Sequence, residues 1–369
     1  MSDPGSRPVG VAGPDVLVRA VAPGRVNLIG DHTDYTGGWV LPMAVDRATT
    51  IELRRHGAGV ELVSTHSPHA VVVDLAVATA DAPRVADWGR YVAGVVAVLR
   101  PAQGGWGVVS STVPVGAGLS SSSALTVAVA LALGFSGPAR DLARACQRAE
   151  QLGSGVPGGI MDQLCSAAAV EGAALVIDCE SLELRPVPLP PGAEVLVAHS
   201  GTDRALVGSA YADRRADCDR AAALLGPLRD ASVGAAEALT DAVLVRRARH
   251  VITENRRVLE CAAALEEGDL AGAGRLMSDS HRSLRDDFDV STPELDALVV
   301  ALEAAPGVHG ARLTGAGFGG CVVALADAGT LERLDASVLP GPVWRVHAAG
   351  GATAEVIDPG PDAGPAGQR

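Results

Sequence analysis

Gly24 to Gly38 reads GRVNLIGDHTDYTGG, following the apolar run VLVRAVAP at Val16 to Pro23. Between its glycines the stretch crowds Arg25, Asn27, Asp31, His32, Thr33, Asp34 and Tyr35. Residues permissive for tight turns bound the segment, so it is expected to form a crowded polar turn. Carboxylates and an imidazole packed so closely repel or compete unless a ligand rich in hydroxyl groups satisfies them. A solvated turn is the plainer alternative, and the density of hydrogen-bonding groups favours the ligand.

The rest of the chain narrows what that ligand can be. A length of 369 residues suits one large or two medium domains with a sizeable core. The net charge of −13 argues against nucleic acid or an anionic membrane as partner. All 30 basic residues are arginine. Without lysine there is no Walker A loop, no lysine Schiff base and no protein-kinase β3 lysine. Six scattered cysteines form no CxxC pair and the N-terminus has no apolar signal region, which points to a reducing cytoplasm. The apolar run at 124–135 is too short for a membrane span. Nothing sets an oligomeric state beyond monomer or weak dimer.

Strands are expected over 16–22, 40–53, 60–65, 70–75, 107–113, 172–178 and 194–198, and helices over 85–99, 120–133, 208–225 and 241–267. Ser136 and Pro138 are placed to open a further helix that Gly153 would stop. The proline-rich RPVPLPPG at Arg185 to Gly192 is the best boundary. This gives a loose leader (1–14), an N-terminal domain (15–190), a C-terminal domain (191–357) and a disordered tail (358–369). Mixed elements without regular βαβ alternation indicate a two-lobed α+β protein.

Three further segments carry chemistry. PVGAGLSSSSA, Pro114 to Ala124, leads from a glycine turn into a helix whose free N–H groups and dipole suit phosphate. Its serines can reach phosphate oxygens or a Mg2+ ion, and a serine-capped helix is the plainer reading. LTGAGFGG, Leu313 to Gly320, satisfies GxGxxG, but CVVAL after it reads as a strand, so a glycine hairpin beside a ligand fits better than a dinucleotide site. Glu150 and Asp162 flank a glycine-rich loop and can converge on one cleft, one on metal and one on a substrate hydroxyl, although acids near helix starts are often simple caps.

In this order the motifs resemble the GHMP-family small-molecule kinases, and the opening stretch resembles the galactokinase signature within them. GGIMDQ at Gly158 to Gln163, LVGSAYADRR at Leu206 to Arg215 and SHRSLRDDFDVSTPELD at Ser280 to Asp296 extend the likeness from about Val16 to Val356. The resemblance implies a ribosomal S5-like N-terminal domain, an α/β C-terminal domain and an active site between them. It implies transfer of the ATP γ-phosphoryl group to C1 of galactose, with Mg2+ as cofactor.

Residue by residue, it makes Asp162 the base or charge partner at the sugar C1 hydroxyl, and Arg25 the group that stabilises developing charge. Asp31, His32, Thr33, Asp34 and Gly159 would bind the sugar and Tyr211 would close over it. Gly116, Ala117, Gly118, Leu119, Ser120, Ser121 and Ser122 would cradle the ATP phosphates, with Ser122 and Glu150 on Mg2+. Gly315, Gly317, Gly319 and Gly320 would line the cleft. One departure is Asp31, where the family has glutamate; a lost carboxylate contact there is worth about 1–3 kcal/mol. That leaves a related hexose such as N-acetylgalactosamine open as substrate. A non-catalytic galactose and ATP sensor also stays open, against the intact serine loop.

Overall fold

The computed structural model describes residues 16–114, 116–202 and 207–357. The expected leader and tail lie outside the described residues, as does Leu206 of the tyrosine segment.

The opening stretch is only half a turn. Strand β1 (Val16–Ile29) runs through Gly24 to Ile29 and pairs with β2 (Trp39–Arg55) from Val16 against Arg55 to Ile29 against Leu41. The glycines that bound the segment predict a turn throughout. Register shifts between Pro23 and Arg25 and between Asn27 and Ile29 let the strand carry the Arg25 and Asn27 side chains inward without ending. The loop proper spans 30–38.

The remaining N-terminal elements are β3 (Gly59–Ser64), β4 (Ser67–Asp74), α1 (Gly89–Leu99), β5 (Gly105–Ser111), α2 (Ser121–Ala132), α3 (Ala139–Ser154), α4 (Met161–Ala168), β6 (Ala173–Asp178) and β7 (Leu184–Pro188). Their strands build a sheet ordered β1-β2-β5-β3-β4, with β6 joining β2 to β7. Helix α2 is apolar on nearly every side and is accordingly buried over Ser123 to Ala130. It lies among α1, α3 and the sheet.

Helix α3 corrects two expectations. Pro138, not Ser136, is its N-cap, and no side chain caps it. Gly153 lies inside the helix, where a Cβ would press on the Arg90 carbonyl, and Gly155 ends the helix at φ 72°. Gly153 is therefore a close-packing residue that local sequence cannot tell from a stop.

The second half comprises β8 (Ala193–His199), α5 (Val207–Leu225), α6 (Val233–Glu237), α7 (Ala242–Glu267), α8 (Leu270–Ser283), α9 (Pro293–Glu303), β9 (Val308–Leu313), β10 (Cys321–Asp327), α10 (Thr330–Arg333), β11 (Val343–Val346) and β12 (Thr353–Ile357). Its sheet is ordered β11-β8-β10-β9. Asp241 caps α7 through the Val243 and Leu244 N–H groups, and Thr292 caps α9 ahead of Pro293.

Within the proline-rich segment at Arg185 to Gly192, Arg185 to Pro188 form a strand against β6. Strand β12 of the expected C-terminal unit returns to pair with β1. A buried apolar cluster joins Val26, Leu28 and Met43 of the first sheet to Val197, Val323, Val258 and Met277 of the second half. The halves thus share a core, and the end of β1 is held between them.

Candidate active site

A cavity of about 620 Å3 opens at that end of β1, within the size range of small-ligand sites. Its wall takes in Arg25, Asp34, Ser120, Glu150, Asp162 and Tyr211. The buried Arg25 lies just past a register shift in the β1–β2 pairing and lines the cavity. Arg25 Nε and Nη2 donate to the two Asp162 oxygens, each at 2.7 Å, and Nη1 donates to the Gly118 carbonyl at 2.6 Å. Burial works against the arginine charge, but Asp162 and then Asp31 more than offset it, so its pKa rises. The Arg25 N–H also donates to the Leu119 carbonyl at 3.1 Å. A Cβ on Gly24 would meet that same carbonyl at 2.6 Å, so the glycine lets the serine loop lie flat on β1.

Ser120 stands just before α2 in the left-handed region, at φ 58°, and donates to Asp162 Oδ2. Asp162 itself lies in the first turn of α4. Three donors therefore hold its carboxylate, leaving about one lone-pair direction for a substrate hydroxyl. Gly116, Gly118, Ser120, Ser121 and Ser122 line the cavity at the start of α2. Ala117 and Leu119, expected beside them, turn their side chains into the shared core instead.

Glu150 reaches the cavity from α3. Ser122 donates to its Oε1 at 2.5 Å, while Ser123 and Gln163 donate to Oε2 at 2.8 and 2.7 Å. Burial raises the Glu150 pKa despite these donors. No arginine pairs with it among the described residues. A desolvated carboxylate beside a hydroxyl, without a cation of its own, is the oxygen donor set that suits Mg2+.

The sugar-side residues separate into two groups. Asp31, His32, Asp34, Gly159 and Tyr211 line the cavity. Thr33 does not: it is fully buried and donates to the Gly30 and Trp39 carbonyls at 2.7 Å. Its hydroxyl holds the loop, correcting the expectation of a sugar contact.

His32 also has its polar atoms occupied. Its Nε2 faces the Ala316 carbonyl at 3.2 Å and its Nδ1 faces the Tyr35 hydroxyl at 3.0 Å. A carbonyl only accepts, so Nε2 carries the proton and Nδ1 accepts from Tyr35. Burial, with His250 nearby, pushes its pKa down to about 3, so the ring is neutral and packs on Tyr211 and Phe288.

Asp34 lies against Gly159, where any Cβ would overlap its carboxylate. Gly159→Ala should therefore displace Asp34 and raise the KM for sugar about tenfold or more, the scale of a 1–3 kcal/mol overpacking penalty. An unchanged KM would show that Asp34 takes no part in binding. Burial, then Asp162, raises the Asp34 pKa to about 7. As pH falls through that value Asp34 gains a proton and loses acceptor capacity. The kcat/KM for sugar should fall over the same interval, and Asp34→Asn should remove the inflection; a flat wild-type profile from pH 8 to 6 would contradict this.

Of the glycine cluster only Gly315 lines the cavity, joined by Ala316. Gly317 packs on the Val290 carbonyl at φ 79°, and Gly320 donates to the Thr202 carbonyl at 3.1 Å. Gly317, Gly319 and Gly320 shape the β9–β10 turn and do not line the cleft as expected. The strand after the cluster bears out the reading against a dinucleotide site.

Several site residues escaped sequence reasoning. Arg312 on β9 is completely buried, and its Nη2 sits 2.6 Å from Asp31 Oδ2, off a hydrogen-bonding angle and held by charge. Asp31 Oδ1 accepts from the Gly315 N–H at 3.1 Å. Burial outweighs Arg312, so the Asp31 pKa still rises. Arg312 also donates to Ser280 and to the Asn27 carbonyl, and Ser280 donates to the buried Glu254. An arginine inside ARLTG gives no local signal of this. Gln163 and Ser123 stood inside recognised motifs, yet only their contacts reveal their link to Glu150. His250 is buried between Ser283 and the Asp31 carbonyl.

Comparison with known proteins agrees with this geometry. A model of the galactokinase galactose-binding signature matches residues 10–55, and those of the GHMP kinase N-terminal and C-terminal domains match 90–170 and 261–338. A galactokinase of Roseiflexus sp. (strain RS-1) is 44% identical over 342 residues, covering 86% of this chain and 85% of that protein. A galactokinase of Homo sapiens is 45% identical over 336 residues, covering 86% and 85%. The crystal structure of Lactococcus lactis galactokinase complexed with galactose superposes with a TM-score of 0.82 at 30% identity, over 91% of this chain and 95% of that one. Methanococcus jannaschii mevalonate kinase shares the fold, with a TM-score of 0.66 at 18% identity over 91% and 99%. With the arginine–aspartate pair, the serine loop and the sugar wall in one cavity, the chain belongs to the galactokinase family of the GHMP kinases.

Proposed function

We propose that this chain transfers the γ-phosphoryl group of ATP to the C1 hydroxyl of galactose, giving galactose 1-phosphate and ADP. The observation that carries the reading is the Arg25–Asp162 pair, joined through Ser120 and the Gly118 carbonyl to the phosphate-type loop opening α2. Nucleophile and phosphoryl donor are thereby brought to one point, which is most of what phosphoryl transfer asks of a protein.

Asp162 orients the C1 hydroxyl and takes up its proton as the new O–P bond forms and the bond to the β,γ-bridging oxygen breaks. Arg25 faces the charge that spreads over the γ-phosphoryl oxygens, in a setting where its own ion pair keeps it rigid. Gly116 to Ser122 supply N–H groups and hydroxyls to the phosphates at the helix N-terminus. Ser122 and Glu150 would hold Mg2+, which when bound neutralises phosphate charge. Asp31, Asp34 and Tyr211 form the sugar side, with His32 as a neutral packing surface.

Six cysteines without a disulfide suit a reducing cytoplasm, and no helix among the described residues is long and apolar enough to cross a membrane. A related hexose remains the second reading, favoured by the fact that Asp31 is drawn toward Arg312 and Gly315.

A panel of free hexoses, including galactose and N-acetylgalactosamine, assayed with ATP and Mg2+ for sugar 1-phosphate decides between them. Galactose should give the highest kcat/KM. Binding of ATP and galactose without turnover would overturn the enzyme reading.

A further inference from the structure

Gln163 follows Asp162 directly and is almost fully buried, yet only one end of its amide is used. Its Nε2 donates to Glu150 Oε2 at 2.7 Å and to the Ser123 hydroxyl at 3.3 Å. The amide orientation is set by chemistry: a carboxylate oxygen only accepts, so the nitrogen must face it. That leaves Oε1 as a buried acceptor without a partner, on a residue that lines the cavity. Buried unpaired acceptors are rare in folded proteins, and one carried by a residue of the cavity wall is a reason to look for its donor.

We propose that Gln163 is a positioning residue for the divalent cation, clamping Glu150 by one oxygen and offering its own Oε1 to a hydrogen of a cation-bound water. This rests on the reading of Glu150 and Ser122 as cation ligands. The clamp divides the work of the carboxylate: Oε2 is held by Ser123 and Gln163, while Oε1 stays on the Ser122 side. Mg2+ keeps several of its waters when it binds, so an acceptor beside the carboxylate has hydrogens to receive. Asp162 and Gln163 are neighbours in the first turn of α4, so a single helix end sets both the sugar-facing carboxylate and the cation-facing one.

Mn2+ binding in the presence of ADP, followed by the electron paramagnetic resonance of free Mn2+, tests this on the full chain. Gln163→Leu should weaken Mn2+ affinity about 10–100-fold, the usual effect of removing an outer partner of a metal ligand. Its KM for galactose should stay within about twofold of wild type, and its rate should recover at high Mg2+; a group that merely supported α4 would move the galactose KM instead. Glu150→Ala serves as the reference and should lose Mn2+ binding outright. If Glu150→Ala binds Mn2+ normally, the cation-ligand reading fails and this proposal with it. If Glu150→Ala loses Mn2+ but Gln163→Leu binds it as wild type does, the proposal alone is overturned. Should Gln163→Leu not fold, Gln163→Asn withdraws the amide by one methylene, and unchanged Mn2+ affinity there overturns the proposal equally.

Discussion

Asp162→Asn is expected to lower kcat by about three orders of magnitude or more, within the range for losing a proton acceptor and a charge partner together. The two changes cannot be separated at this position. An amide takes up no proton, and its nitrogen must face a donor whichever way it turns: Arg25 Nε or Nη2, or the Ser120 hydroxyl. One limb of the bidentate pair is therefore lost, and a buried arginine loses its main charge partner. Galactose should still bind within about tenfold of wild type, because Asp162 is one contact among several on the sugar side and a single hydrogen bond contributes about 0.5–1.5 kcal/mol. Turnover followed by ADP release, with calorimetry for galactose, separates the effects. A rate near wild type would remove Asp162 from the mechanism, and lost sugar binding with it would make Asp162 chiefly a binding residue.

Arg312→Met should have the largest effect on stability, about 3–5 kcal/mol, because breaking a buried ion pair strands the remaining charges. Methionine fills much of the volume, so the loss reports charge rather than a cavity. Arg312 is the cation beside Asp31 and one of those acting on Glu254, and it ties β9 to the Asn27 and Leu28 carbonyls of β1. Its removal loosens the two halves where the site is built.

The pH dependence gives a second check. Burial opposes ionisation of Glu254, but Arg257, His250 and Arg312 outweigh it and pull its pKa down to about 2. A lowered pKa contributes stability that is present above the ordinary glutamate range and is lost as pH falls toward 2. The deficit of Arg312→Met should therefore be full at neutral pH and shrink on the acid side. Urea unfolding at pH 7 and pH 4 measures it; a neutral-pH loss under about 1 kcal/mol would mean that the buried carboxylates find other partners.

Much of this site was legible residue by residue. Glycines and serines running into an apolar helix mark a place for phosphate wherever they occur, and the absence of lysine excluded the common alternatives. A strand after LTGAGFGG ruled out a dinucleotide turn. Side-chain direction was not legible. Thr33 and Asp34 are adjacent and equally polar, yet one bonds two carbonyls in the interior and the other meets the cavity. Ala117 and Leu119 alternate with cavity-lining neighbours, and only the packing of the loop on β1 decides which way each points.

The sequence by itself determined the chemistry on offer: a sugar-type cluster, a phosphate loop without lysine, and two acids flanking a glycine turn, arranged as in the galactokinase family. Local patterns suffice there because turns, caps and helix starts depend on near neighbours. Only the tertiary structure decided how the acids are used. Arg25 meets Asp162 across 137 residues and the Gly315 N–H meets Asp31 across 284. Periodicity carries no information over such separations; the shared core beneath the end of β1 makes these pairs neighbours. It also assigns Asp31 to Arg312 as well as to the cavity wall.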